Sequence, residues 1–275
     1  MRRVRLRGPS GIEGGVVQDD AVVTDGGERI EPLDHETLAL PEPYELLLPV
    51  DPPEVWCAGV TYERSRDARV EESAVKDVYT LAYEAPRPEL FLKDAAGRRT
   101  VGPGKPIGIR SDSTWNVPEP EIGLVLGEYG HIEGLTIGND VSSRDIEGAN
   151  PLYLPQAKVY AGACAIGPAV YVPERLDAPL RIQMRITGDG GEELFHGETS
   201  TARMRRSYAD LVEWLLIDNP VPPGSVLLTG TGLVPPDDFT LLPGHVVAIH
   251  VPGIGTLANP VVPAAELMER SGSHV

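Results

Sequence analysis

The sequence predicts an α+β, mainly β fold, and three observations carry that expectation. Short runs rich in Val, Ile and Leu recur along the chain, separated by Gly-, Pro- and Asp-rich turns. Only one segment, Ser207 to Asp218, has a convincing helical pattern. Strand and helix patterns do not alternate, which argues against a doubly wound parallel sheet. A chain of 275 residues can hold one large domain and a small appendage, with an ample core.

The elements follow in order. Residues 1–53 read as a small N-terminal β-rich module, with strands at Val4–Leu6, Val16–Val17, Ala21–Val23 and Glu28–Ile30. Leu46–Leu48 then runs into Asp51-Pro-Pro53, a break that marks the boundary with a catalytic domain of residues 54–275. Val55–Val60 has the length and flanks of a buried strand. Thr61 to Tyr83 is charged and helix-capable, so it is either a solvated helix or a cover for a site. Pro88–Lys93 and Ile107–Ile109 read as strands. Further on, the run Ile122–Leu126 is separated from Leu135–Ile137 by expected turns at Glu128–Gly130 and Glu133–Gly134. Leu180–Ile186 alternates cleanly, Gly188–Gly191 closes a hairpin, and Glu193–Ser200 returns beside it. Ser207 caps the helix, with Asp210 at its third position and Tyr208, Leu211, Trp214 and Leu215 on its core face. Val226–Leu228 leads into Thr229-Gly-Thr-Gly232, and His245 and His250 lie beside or within a last buried strand, on opposite faces. Ala264 to Val275 is a short tail helix at most.

Composition excludes several functions. Hydrophobic residues at 41% and charged residues at 24% are those of a soluble globular protein. A formal charge of −17 argues against nucleic acid as a partner. No apolar run approaches the roughly 18 residues that cross a bilayer. The basic start lacks the apolar core of a secretory signal. Cys57 and Cys164 have no metal-binding spacing and read as small buried hydrophobes in a reducing cytoplasm.

The chemistry concentrates between Trp115 and Pro168. Glu119 and Glu121 are two apart at a strand start, so their side chains share a face. Close parallel carboxylates either share a proton or hold a cation. If the two following segments pair, Asp140 joins them as a third oxygen donor. Hard oxygen ligands without His or Cys suit Mg²⁺, Mn²⁺ or Ca²⁺.

Glu119-Pro-Glu121, the segment Gly134-Leu-Thr-Ile-Gly-Asn-Asp-Val-Ser-Ser-Arg-Asp145, Lys158 and Gly167-Pro168 together resemble the fumarylacetoacetate hydrolase (FAH) superfamily. The stretch Ile146 to Tyr160 is most similar to the branch that contains 2-keto-3-deoxy-D-arabinonate dehydratase. The resemblance implies an FAH-type mixed β-sandwich roll, assembled as a homodimer or homotetramer. It implies a metal site at Glu119, Glu121 and Asp140 and a catalytic Lys158, which either acts as a general base or stays charged and binds the enolate or carboxylate. Lys93, in a strand matching the family's Pro-x-x-Phe-x-Lys pattern, and Thr231 are the implied substrate contacts; Arg64 is a third candidate, through assistance to a departing hydroxyl.

In FAH-type C–C hydrolases the place that follows Val55–Val60 here carries a His after an Asn-Tyr-like pair, and this His works with a Glu to activate water. Here Glu63, Arg64 and Ser65 stand there, and no His occurs between His35 and His131. This departure favours a lyase, although Glu71 or Glu72 could serve as a base. The expected activity is a Mg²⁺-dependent dehydration of 2-keto-3-deoxy sugar acids, 2-keto-3-deoxy-D-arabinonate to 2,5-dioxopentanoate, through a metal-stabilised enolate. The alternatives are an FAH-type hydrolase of a diketo acid and a non-enzymatic binding protein.

Overall fold

The computed structural model describes residues 1–63 and 81–271, with side chains to residue 268. Arg64, Glu71, Glu72 and most of the charged stretch ahead of Tyr83 lie outside the described residues. Two main sheets pack face to face. The larger, of twelve strands, begins with β1 (Arg2–Gly8), β2 (Gly11–Gln18), β3 (Ala21–Thr24) and β4 (Arg29–Ile30) at one edge, with β5 (Glu45–Leu46) against β1. Its other edge is β6 (Glu54–Gly59) and β7 (Glu89–Ala95), and β8 (Thr100–Val101) pairs off the path. The second sheet opens with β9 (Ile107–Ile109), while β10 (Asn116–Val117) belongs to a two-stranded ribbon.

Between the edges of the large sheet run β11 (Pro120–Leu126) and β12 (Ile132–Asp140). The ribbon is completed by β13 (Ser142–Ser143), and β14 (Cys164–Tyr171) joins β12 to β1. The N-terminal strands therefore continue the sheet that carries β11 and β12. The hairpin β15 (Arg181–Thr187) and β16 (Glu193–Ser200) closes at Gly188–Gly191 as expected and belongs to the five-stranded sheet. β17 (Val226–Leu228) pairs in parallel with β6 and antiparallel with β11; β18 (Val246–Val251) and β19 (Gly255–Pro263) complete the second sheet.

Period-two alternation explains where the core lies. Ile122, Leu124 and Leu126 of β11 and Leu135 and Ile137 of β12 point between the sheets, against Ile182, Met184, Ile186, Val247, Ile249 and Leu257. Val125 points to the opposite face with Val55, Cys57, Cys164 and Leu228. β11 is buried on both faces along its whole length, so any polar group it carries must find partners inside the protein.

Three short helices bear on the site or its surroundings: α1 (Arg144–Ala149), α2 (Leu154–Lys158) and α3 (Tyr208–Leu216). In α3 the Ser207 hydroxyl accepts from Asp210 N at 3.1 Å, and Leu211 and Leu215 are buried, as the pattern predicts. One expectation is corrected. Glu133–Gly134 is not a turn but part of β12, because Gly134 pairs with Val125 and packs against Val170 and Tyr171 of the strand on the other side. Pairing on both sides overrides the local preference of glycine for turns.

Candidate metal centre and active site

Glu119 stands just ahead of β11, Glu121 is its second residue, and Asp140 ends β12. The register pairs Glu121 with Gly138 and Pro120 with Asn139. Asp140 N donates to Glu119 O at 3.0 Å, and Glu119 N donates to the Asn139 side chain at 3.1 Å. Those bonds fix the strand ends, and alternation turns the acids to the face opposite the main core. All three are buried, and one oxygen of each lies within 4.8 Å of the others.

Buried carboxylates this close need positive charge. Lys158, at the end of α2, donates from Nζ to Glu119 Oε2 at 2.8 Å and to Asp140 Oδ2 at 2.9 Å. The same Nζ donates to the Ser142 hydroxyl, whose proton is committed to Asp140 O at 3.0 Å. Lys93 donates to Val141 O at 3.0 Å and forms an ion pair with Asp140. Lys93 reaches inward through a β-bulge: Val55 pairs with Asp94 and Trp56 with Leu92, which leaves Lys93 between them without a ladder partner. Arg144 donates to Glu119 Oε1 from Nε at 3.2 Å and from Nη2 at 3.0 Å.

Glu121 differs from the other two. It accepts from Gly230 N at 2.6 Å, and among the described residues it has no ion-pair partner. Burial first, then the charges of Asp140 and Glu119, push its carboxyl well above the usual carboxylate range. A hard divalent cation at this point removes the repulsion, so the donor set fits Mg²⁺-type binding by all-oxygen chemistry.

The structure brings Glu119, Glu121, Asp140, Lys158 and Lys93 into one buried group and places Thr231 on the same pocket wall. The Thr231 hydroxyl both accepts from Leu233 N at 3.2 Å and donates to Leu233 O at 2.9 Å, which holds the loop. Arg64 lies outside the described residues. His245 and His250 are engaged elsewhere, with Leu242 N and the Thr256 hydroxyl. Cys57 and Cys164 are buried and free, their thiols pushed up by burial, Cys164 to about 12.

Residues not anticipated also line the pocket. Glu147 is fully buried and Glu89 half-buried. Arg144 lies within the motif, and Glu147 follows it by one helical turn, a spacing that puts both on one face. That was the available signal. Gly230 left none, because its role rests on a backbone N–H.

Known proteins are similar to this chain over most of its length. Residues 54–262 match the family model for the fumarylacetoacetate (FAA) hydrolase C-terminal region. A "probable 2-keto-3-deoxyxylonate dehydratase" of Haloferax volcanii is 52% identical over 215 residues, covering 78% of this chain and 74% of its own. The 2-dehydro-3-deoxy-D-arabinonate dehydratase of Saccharolobus solfataricus is 42% identical over 244 residues, covering 86% and 81%. A solved structure of 2-keto-3-deoxy-D-arabinonate dehydratase complexed with magnesium and 2,5-dioxopentanoate superposes with a TM-score of 0.84 at 35% identity, covering 96% of this chain and 99% of that one.

Proposed function

The chain belongs to the fumarylacetoacetate hydrolase family, and we propose that within it the protein is a Mg²⁺-dependent dehydratase of 2-keto-3-deoxy sugar acids. The substrate we favour is 2-keto-3-deoxy-D-arabinonate, with 2,5-dioxopentanoate as product. The observation that carries the reading is the buried triangle of Glu119, Glu121 and Asp140 with the Lys158 ammonium against two of its corners. The relatives named above supply the substrate class.

Glu119, Glu121 and Asp140 would hold the ion. When bound, such an ion supplies Lewis acidity to the carboxylate and ketone oxygens of a 2-oxo acid, making the adjacent carbon acidic. The remaining work belongs to the chain. Lys158, as the neutral amine it becomes once a cation would take over the charge of Glu119 and Asp140, takes the C3 proton, and the C4 hydroxyl leaves as water; Ser142 and the two carboxylates orient its Nζ. Arg144 holds Glu119 in place by two hydrogen bonds from the side away from Lys158, and Gly230 N holds Glu121. Outer partners of this kind set ligand orientation. Thr231 contributes its loop's close backbone approach to the substrate. Lys93 neutralises Asp140, and through it the pocket tolerates an anionic substrate despite the acidic chain.

Among the described residues no helix is long and apolar enough to cross a membrane. A homodimer or homotetramer is the assembly the family resemblance supports, readable by light scattering. Activity is tested by incubating the Mg²⁺-loaded protein with 2-keto-3-deoxy-D-arabinonate and weighing the product. Loss of one water, abolished by a chelator and restored by Mg²⁺, is the expected result. Splitting into pyruvate and a two-carbon fragment overturns it.

A further inference from the structure

Resting on the dehydratase reading, we propose that Thr61 is a positioning residue of the metal centre: its hydroxyl fixes one peptide plane, and that plane aims the N–H that orients Glu121. Glu121 accepts from Gly230 N at 2.6 Å. The oxygen of the same peptide unit belongs to Thr229, and it accepts from the Thr61 hydroxyl at 2.7 Å. A trans peptide is planar and carries its N–H and C=O on opposite sides. A donor seated on the oxygen therefore sets the direction in which the N–H points. Thr61 grips one edge of the plane and Glu121 the other. Hydrogen bonds on the two edges of one peptide also polarise each other, so the Thr61 bond strengthens the one from Gly230.

The surroundings leave this plane few alternatives. Thr229 N and the Thr229 hydroxyl both donate to Ile122 O at 3.0 Å, which fastens the start of the loop to β11. Thr61 is held in turn: its carbonyl accepts from Arg205 N at 3.0 Å, and Tyr62 bridges to Met204. Thr61 and Thr229 are buried, so bulk water offers the Thr229 oxygen no substitute donor. The chain also accepts strain to make this contact. Val60 has φ +50° and lines the same pocket as Glu119 and Glu121. A β-branched residue rarely adopts that left-handed conformation. Strain of this kind persists where surrounding contacts demand it, and it gathers at functional sites. The turn that Val60 makes beyond β6 brings Thr61 to the Thr229 carbonyl.

The test compares Thr61→Ser with Thr61→Cys in the full chain. Both lose the same methyl group and differ in one atom, the serine hydroxyl being a full donor and the cysteine thiol a weak one. Mg²⁺ affinity is read by calorimetry, and the thermal midpoint of the metal-free protein by circular dichroism. Outer partners of metal ligands typically change affinity by about 10–100-fold, and Thr61 acts through one intervening peptide. T61S is therefore expected to bind Mg²⁺ within about twofold of wild type, and T61C about tenfold more weakly than wild type. Thr61→Val keeps the shape and removes the donor, so it is expected to match T61C; where it does not fold, the serine and cysteine variants decide. A merely structural role lowers the midpoint and leaves the affinity alone. Equal Mg²⁺ affinity in T61S and T61C, whatever their midpoints, overturns the proposal. A wild type that binds Mg²⁺ but dehydrates no sugar acid overturns the dehydratase reading instead, and the affinities of T61S and T61C still report on Thr61.

Discussion

Lys158 donates to Glu119 at 2.8 Å with both side chains buried, and its other carboxylate bond, to Asp140 at 2.9 Å, closes the pair of strand ends on which the site is built. As an ammonium ion this nitrogen does part of what a bound cation would do, and as the neutral amine it is the group we assign to take the substrate proton. Structure and chemistry therefore depend on the same nitrogen.

Lys158→Met separates those roles. Removing one partner of a buried ion pair typically costs about 3–5 kcal/mol, so the metal-free variant should unfold at clearly lower urea concentration. Excess Mg²⁺ is expected to restore much of that loss, because it neutralises the same carboxylates. Turnover is not restored; loss of a general base lowers it by roughly 10²–10⁴-fold. A variant with near-normal turnover in Mg²⁺ would remove Lys158 from the chemistry.

Glu121 makes metal binding depend on pH. Burial and its two acidic neighbours raise its carboxyl above the ordinary range, so the metal-free protein retains a proton there that a bound cation expels. Affinity for Mg²⁺ should accordingly rise as pH rises toward the raised value and level off above it. Stability of the metal-free protein runs the other way: the favourable contribution is complete below the ordinary carboxylate value and is lost as pH climbs through the raised one. Calorimetry in two buffers of different ionisation enthalpy measures the released proton directly. Binding heats that do not differ between buffers would contradict the assignment.

Gly230→Ala should loosen the site without touching an acidic side chain. Gly230 has φ +89°, and a Cβ there would meet the Thr61 hydroxyl and lie 2.8 Å from Ala58 O. Strain of this kind costs on the order of 1–3 kcal/mol, and relief requires the N–H that bonds Glu121 to move. Weaker Mg²⁺ binding is expected together with a lower thermal midpoint. A midpoint shift with unaltered metal affinity would mean that the N–H does not position Glu121.

Salt should stabilise the protein. The chain carries −17 and has four lysines, two of which, Lys93 and Lys158, are buried at the site. The surface therefore repels itself, which opposes the compact state. Raising the salt from about 0.1 M to about 1 M shortens the screening length from about 10 Å to about 3 Å. The thermal midpoint should climb over that range. A flat response would show that local pairs such as Arg110–Asp112 and Arg175–Asp177 already offset the acidic excess.

Much of the architecture was readable from local pattern. The hairpin around Gly188–Gly191 and the Ser207 cap are short-range features, decided by turn chemistry and by a side chain reaching three residues along. The turn expected at Glu133–Gly134 failed for the opposite reason: strands far along the chain flank it.

The sequence alone determined that two glutamates share a face and that Asp140 can join them, because side-chain direction alternates strictly along paired strands. It also marked Lys158 and Arg144 as belonging to the same motif. Only the tertiary structure decided which partners meet those acids: Lys93 through a bulge, Glu147 through the packing of a short helix, and Gly230 through a backbone N–H from 109 residues away. Such meetings depend on how distant segments pack, and no local periodicity encodes that.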